Sequence, residues 1–315
     1  MSDVPGNDGQ AGGGAGDAPT RCGFVALVGA PNAGKSTLTN HLVGAKVSIV
    51  THKAQTTRAR IRGIAMAGPT QIILVDTPGI FRPRRRLDRA MVHAAWAGAG
   101  DADVIVLVVD AAKGRIDEDT RRIIDGLKAN GQRAVLALNK VDGMKRERLL
   151  PIAQECSELF EFDRVFMISA LNGSGCDDLR QYLADRMPEG PWHYPEDELS
   201  DLPERLLAAE VTREQVFLKL HDELPYEATV ETDIWTERDD GSVRIDQTIY
   251  VERDNQRMIV LGKNGRKIKE IGQLAREQLE AMLDRRVHLF LFVKVREAWQ
   301  EDRERYTTWG LEWDV

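Results

Sequence analysis

The chain has 315 residues, more than one hydrophobic core usually serves, and this length predicts two domains. With 42% hydrophobic and 30% charged residues, and no apolar run near the roughly 20 residues a membrane helix needs, an integral helical membrane protein is excluded. The formal net charge of −7 excludes a broadly basic nucleic-acid binder, so any such contact must come from a local basic patch.

Residues 1–20, MSDVPGNDGQAGGGAGDAPT, have neither a basic start nor an apolar centre, which argues against a secretory signal. Their glycine-rich polar composition predicts a disordered leader. Three cysteines, Cys22, Cys156 and Cys176, form no CxxC pair, which fits a reducing, cytoplasmic setting without a disulfide framework or zinc site.

GFVALV (23–28) reads as a buried strand running into GAPNAGKS (29–36) and then a helix, KSTLTNHLVG. RIRGIAMAG, TQIILVD (70–76), DVIVLVVDA (103–111), RAVLALNK (133–140) and RVFMISA (164–170) are further strand candidates. The helical patterns DEDTRRIIDGLKAN and MKRERLLPIAQECSELF separate the last of them. Apolar strands alternating with helices predict a mainly parallel sheet covered on both faces, with ligands at the carboxyl ends of its strands. PEGPWHYPEDELSDLP (188–203), with four prolines and five acids, reads as an extended linker. Beyond it come a helix over about 204–222, two strands joined by a turn at Asp240-Gly241, a second glycine loop, a helix striped with Ile268, Ile271, Ala275, Leu279 and Met282, and the strand VHLFLFVKV.

GAPNAGKS matches the phosphate-loop pattern G-x-x-x-x-G-K-[ST]. Gly29 and Gly34 let the backbone curl so that its N–H groups face phosphate. Lys35 reaches the outer phosphates, Ser36 is placed to ligate Mg²⁺, and the helix N-terminus faces the anion. Gly29, Ala30, Pro31, Asn32, Ala33, Gly34, Lys35, Ser36 and Thr37 are therefore the candidate phosphate-binding residues. DTPG (76–79) ends another strand. Asp76 is suited to hold Mg²⁺ through water and the Gly79 N–H to sense a γ-phosphate, with Thr77, Pro78 and Ile80 beside them. In KAQTTRAR (53–60) a threonine, Thr57 in preference to Thr56, is the candidate that completes the metal shell when triphosphate is bound; the plain alternative is a polar loop. Lys35, Thr57 and Gly79 are the candidate catalytic residues, and Ser36, Thr57 and Asp76 the metal ligands. NKVD (139–142) selects the base. The Asp142 carboxylate accepts from the two adjacent donors of guanine, whereas adenine offers no such pair; Asn139 meets the purine edge and the Lys140 stem covers the ring, with Val141 between. Backbone N–H groups of Ser169, Ala170 and Leu171 are candidates for the guanine carbonyl.

In the second loop, Gly262 and Gly265 enclose Lys263 and Asn264 at a helix N-terminus. The segment 257–269 carries Arg257, Lys263, Arg266, Lys267 and Lys269 and no acid. Ile259, Val260, Leu261, Ile268 and Ile271 flank it. A GxxG loop of this kind clamps a single-stranded RNA backbone while an apolar groove takes the bases.

Taken in order, GAPNAGKS, QTT, DTPG, NKVD and SAL resemble the five motifs of a translation-factor-class GTPase domain over 21–187. The helix–strand–strand–helix–helix–strand order of 204–296 resembles a type II KH module. The two modules in this order resemble the Era family of ribosome-assembly GTPases. The resemblance implies a P-loop α/β domain followed by a smaller α+β KH domain, with a linker at 188–203 and a tail at 301–315 assigned no role. It implies GTP and GDP as ligands and Mg²⁺ as cofactor, and it leaves Asn32 either as a ligand to K⁺ beside the phosphates or as a residue that only shapes the loop. The implied partners are the 3′ end of 16S ribosomal RNA and the small (30S) subunit, with a monomeric chain and peripheral contact with the inner membrane face. Many small GTPases carry a glutamine directly after DxxG; here Ile80 takes that place, which implies slow intrinsic hydrolysis. Ala33 and Asn264 depart from the residues common at their positions. An accessory role in RNA modification is the other reading of a GTPase with an RNA partner, but its terminal cysteine motif is absent.

Three stretches stay open. FRPRRRLDR (81–89) is either a solvated loop or a GTP-ordered RNA contact. His93 and Trp96 read as packing residues on a helix, and His193 and Tyr194 show no metal spacing. Nothing near Cys156 suggests a thiol enzyme.

Overall fold

The Val-, Ile- and Leu-rich runs become strands because branched side chains suit a pleated surface buried on both faces. The computed structural model describes residues 19–315 except 52, 54, 55, 59, 222 and 223, and it leaves out the side chain of residue 146. The leader as far as residue 18, and Gln55 of the QTT stretch, lie outside the described residues.

The first unit runs β1 (Arg21–Val28), α1 (Lys35–Val43), β2 (Ile61–Ala67), β3 (Thr70–Asp76), α2 (Arg86–Gly100), β4 (Val104–Asp110), α3 (Glu118–Ala129), β5 (Val135–Asn139), α4 (Leu149–Leu159), β6 (Val165–Met167) and α5 (Cys176–Ala184). The sheet order is β2-β3-β1-β4-β5-β6, parallel throughout except that β2 runs antiparallel to β3. Side chains alternate between two buried layers. Val25, Leu27, Leu74 and Val106 meet Leu38, Leu42, Leu179 and Leu183 on one face. Ala26, Val28, Leu107 and Leu136 meet Ile123, Leu127, Ile152 and Cys156 on the other. GAPNAGKS, DTPG, NKVD and SAL therefore emerge at the carboxyl ends of parallel strands, where an open parallel sheet binds ligands, while Thr57 precedes the antiparallel β2.

The second unit runs α6 (Glu204–Lys219), β7 (Ala228–Glu237), β8 (Val243–Val251), α7 (Asp254–Leu261), α8 (Arg266–Leu283) and β9 (Val287–Val295). In its sheet, β7 pairs antiparallel and β9 parallel with the central β8. The three helices pack on one face through Val216, Val260, Ile271 and Leu279. The expected fold class and element order are both present.

Residues 188–203, expected to be extended, run as irregular chain with bends and a turn, and they are pinned to the first unit. The Gln71 Oε1 accepts from the N–H groups of His193 and Tyr194 at 3.0 and 3.1 Å, and the Ile64 N–H donates to the Leu199 carbonyl at 2.9 Å. The segment thereby covers the exposed edge strand β2. The C-terminal tail, given no role from sequence, forms α9 (Arg303–Thr308) and packs on α2. Tyr306 and Leu311 are buried there among Leu87, Ala90, Met91 and Ala94.

Candidate functional site

The loop after β1 approaches its neighbours too closely for side chains at its two glycines. A Cβ on Gly29 would lie 2.4 Å from the Val108 carbonyl oxygen, and one on Gly34, whose φ is 99°, would lie 2.2 Å from the Asn139 side-chain nitrogen. The loop borders a cavity of about 500 Å³ that also takes in Ser36, Thr37, Thr57, Gly79, Asp110, Lys113 and Lys140. Lys35 is buried and donates to the Gly29 and Ala30 carbonyls at 3.1 and 3.2 Å. Burial lowers its pKa to about 8, against the raising effect of the Asp76 charge. Pro31 and Asn32 line the cavity, while Ala30 and Ala33 are buried beneath it.

Three oxygen-bearing side chains meet at the floor. Ser36 Oγ and Thr57 Oγ1 lie 2.9 Å apart. Asp76 is fully buried and accepts from Ser48 Oγ at 2.6 Å through Oδ2. Its Oδ1 is buried with no hydrogen-bond partner among the described residues. Burial raises its pKa, opposed by hydrogen bonds from Ser48 and Ser36 and by the Lys35 charge. An orphaned carboxylate oxygen beside two hydroxyls is a donor set that fits a hard divalent cation such as Mg²⁺. Thr57, rather than Thr56, is the hydroxyl beside Ser36; Thr56 Oγ1 bonds Thr51 Oγ1 at 2.7 Å instead.

Other predicted residues take different places. Thr77 is buried and its hydroxyl donates to the Leu27 carbonyl at 2.7 Å, which ties the loop to β1. Pro78 is buried. Gly79 crosses the phosphate loop so closely that a Cβ would sit 2.9 Å from the Pro31 backbone. The Ile80 side chain points into the core layer beneath α2 instead of lining the cavity, and only its N–H, donating to the Gly29 carbonyl at 3.1 Å, touches the loop. Asn139 fastens two loops together: its Nδ2 donates to the Ala33 carbonyl and its Oδ1 accepts from the Ala170 N–H, each at 2.9 Å. The N–H of Ser169 donates to the Ser174 carbonyl and that of Ala170 to Asn139 Oδ1, so both groups expected at guanine have partners within the protein. Leu171 is exposed. Lys140 adopts a φ of 66° and pairs with Asp110 at 2.6 Å. Val141 packs against the core and Asp142 is exposed. Asp110 and Lys113 line the cavity but escaped the sequence reading, because the residues after β4 form no recognised motif.

The second loop joins α7 to α8. A Cβ on Gly262 would lie 2.6 Å from Lys267 Cβ, while Lys263, Asn264, Arg266 and Lys269 are exposed and Gly265 caps α8 with a φ of 72°. Ile259 is exposed and Leu261 half-buried. Val260 and Ile271 are fully buried in the core and cannot touch RNA, because the helix turns them inward. The groove beside the loop is lined by Ile268, Lys269, Gly272, Gln273, Arg276, Leu289, Phe290 and Leu291. The β9 residues among these are legible in the alternation of VHLFLFVKV only once the strand is known to border the groove.

The arginine-rich stretch 81–89 turns toward the second unit and the tail. Arg85 pairs with Glu227 at 3.8 Å, and Arg86 pairs with Glu301 at 3.2 Å and stacks 4.4 Å from the Trp313 ring centroid. Arg84 stays exposed. His93 is exposed near Glu312 and is not a packing residue, whereas Trp96, also on α2, packs partly buried against the core with its ring over Gly126 of α3. Cys156 and Cys176 are buried, which pushes their thiols up to about 12 and about 11, so neither is a nucleophile. No helix among the described residues is long and apolar enough to cross a membrane.

Two family models match the chain: one described as 50S ribosome-binding GTPase over residues 24–140, the other as KH domain over 223–300. GTPase Era of Brucella suis biovar 1 is 62% identical over 293 residues, covering 93% of this chain and 94% of that protein. GTPase Era of Rhizobium meliloti is 61% identical over 298 residues, covering 95% of each. A crystal structure of Era in complex with MgGDPNP and nucleotides 1506–1542 of 16S ribosomal RNA has a TM-score of 0.87 at 37% identity, covering 92% of this chain and 99% of that one. A variant of Aquifex aeolicus Era bound to GDP·AlF4⁻ gives the same score, identity and coverage. With its motifs gathered at one cavity and relatives of this identity spanning nearly its whole length, the chain belongs to the Era family of GTPases, P-loop enzymes that carry a C-terminal KH RNA-binding domain.

Proposed function

We propose that this GTPase is a GTP-gated RNA clamp that binds the 3′ end of 16S ribosomal RNA and assists assembly and maturation of the 30S subunit. Residues 21–187 take GTP and 204–300 take RNA, with 188–203 as the connection and 301–315 as a strap on α2. One observation carries the reading. The irregular segment bearing Thr57 lies between Ser36 and α6, so the segment proposed to face the γ-phosphate also touches the RNA-binding unit. The ribosomal RNA held by the 37%-identical relative supports the choice of RNA.

Ser36 and Thr57, with Asp76 through water, would hold Mg²⁺, which supplies charge neutralisation for the phosphates. Lys35 meets the outer phosphates, the Gly79 N–H meets the γ-phosphate, and Asp142 reads guanine. With Ile80 buried, no side chain after DTPG orients the attacking water, so intrinsic turnover stays below about 1 s⁻¹. Asn32, exposed at the cavity mouth with a φ of 62°, is placed to hold K⁺ beside the phosphates, and Na⁺ in its place slows turnover. The chain works as a cytoplasmic monomer whose contact with the inner membrane face is peripheral.

The test is the affinity for single-stranded RNA from the 3′ end of 16S ribosomal RNA, compared between GDPNP-bound, GDP-bound and nucleotide-free protein at one salt concentration. Several-fold tighter binding with GDPNP is expected. Equal affinity in all three states overturns the gating.

A further inference from the structure

The described residues of the irregular segment between α1 and β2 are held more heavily from α6 than from the phosphate loop. Glu214 on α6 accepts from the Val50 N–H at 2.8 Å and pairs with Lys46 at 2.5 Å. The Lys53 ammonium donates to the Phe217 and Leu220 carbonyls at the end of the same helix. Arg58 is buried, donates to the carbonyls of Ala228 and Tyr226 at 3.0 and 3.2 Å, and lies between the rings of Phe217 and Trp299. At the centre is Arg213, only 2% exposed. Its guanidinium donates to the Thr56 carbonyl and is held in place by Glu210 on the preceding turn of α6.

Thr56 and Thr57 are consecutive, and they face opposite ways. The Thr56 carbonyl is fixed by Arg213, and the Thr57 hydroxyl meets Ser36. A peptide unit is planar, so fixing one carbonyl sets the direction of the next residue. We propose that Arg213 is a positioning residue for GTP: by holding the Thr56 carbonyl from the KH side, it presents Thr57 to the γ-phosphate side of the nucleotide site. The proposal rests on the nucleotide-site reading above. It makes the KH unit part of the triphosphate-bound state, and not merely a recipient of its signal.

The same geometry makes docking conditional. Arg58 and Arg213 are like charges buried at one interface, and the repulsion between them is offset by Glu210. On this proposal the contact is tightened when Thr57 has a ligand to meet. Linkage then requires that a docked α6 favour triphosphate by the same factor as triphosphate favours docking. GDP, which lacks the γ-phosphate, has no use for Thr57.

The experiment measures affinity for GDPNP and for GDP, at fixed Mg²⁺, in the full chain and in Arg213→Met, which keeps the stem over Phe217 and removes the donors. A second variant, Arg213→Met with Glu210→Leu, removes the carboxylate that the first leaves stranded. GDPNP affinity is expected to fall about tenfold, the size of one charge-assisted hydrogen bond, with GDP affinity within about twofold of native. Amide exchange across 46–58 in the GDPNP state is expected to rise. An unchanged ratio of GDPNP to GDP affinity in both variants overturns the proposal, and so does an equal loss for both nucleotides in the double variant, which marks a structural role. A native chain that binds neither nucleotide overturns the nucleotide-site reading itself.

Discussion

At the level of single residues, the site is a set of groups whose roles follow from where their neighbours hold them. Asn139 carries the sequence signature of a base reader, yet both ends of its amide are used to tie the Ala33 carbonyl to the Ala170 N–H. The exposed Asp142 carboxylate is the residue proposed above to read the base. Asp142→Asn replaces an acceptor of two donors with an amide. Loss of two charge-assisted hydrogen bonds predicts at least about a hundredfold weaker GTP binding. Xanthosine triphosphate, which offers a carbonyl where guanine offers its amino group, recovers part of that loss. Titration of fluorescent nucleotides checks both statements, and unchanged GTP affinity would remove Asp142 from the base site. The order of motifs alone made Asp142 the candidate base reader, and the structure leaves it exposed. Motif matching placed Ile80 beside the phosphates and Val260 beside the RNA loop, but both side chains turn into the core.

At the level of elements, the periods of the sequence predicted most of what formed. Strand runs such as TQIILVD appear as buried strands, and the stripe through Ile271, Ala275 and Leu279 is the buried face of α8. The antiparallel β2 was not legible, since alternation does not report direction. The turn that carries Lys263 and Asn264 is a clearer case. Both side chains are exposed, and Asn264 holds a φ of 55° between two glycines of positive φ. Lys263→Asp with Asn264→Asp adds two negative charges to a surface suited to phosphate without touching the core. RNA affinity is predicted to fall at least about tenfold, with a shallower salt dependence and unchanged thermal stability. Filter binding at several salt concentrations reads the first two, and native affinity in the variant would exclude this loop as the RNA contact.

At the level of the whole molecule, what matters is how the two units and the tail meet. The tail buries Tyr306 and Leu311 on α2, and Arg86, next to the γ-phosphate loop, stacks on Trp313. Leu311→Ala removes a buried side chain at this seam and is predicted to cost about 2–5 kcal/mol of stability, measured by denaturant unfolding of the full chain. A loss below about 0.5 kcal/mol would mean that the tail rests on α2 without supporting it. The sequence by itself determined the two modules, their order, the nucleotide and the GxxG loop. These are local features: a loop must have glycine where backbones nearly touch, and a carboxylate must stand where guanine presents its donors. The sequence already favoured Thr57 over Thr56, but only the tertiary structure decided that Ser36 is its neighbour, that Arg85 and Arg86 bind the KH side and the tail, and that Arg213 reaches Thr56 across 157 positions of chain. Contacts between residues so far apart leave no period or spacing in a sequence, because they depend on how two separately folded surfaces come to face each other.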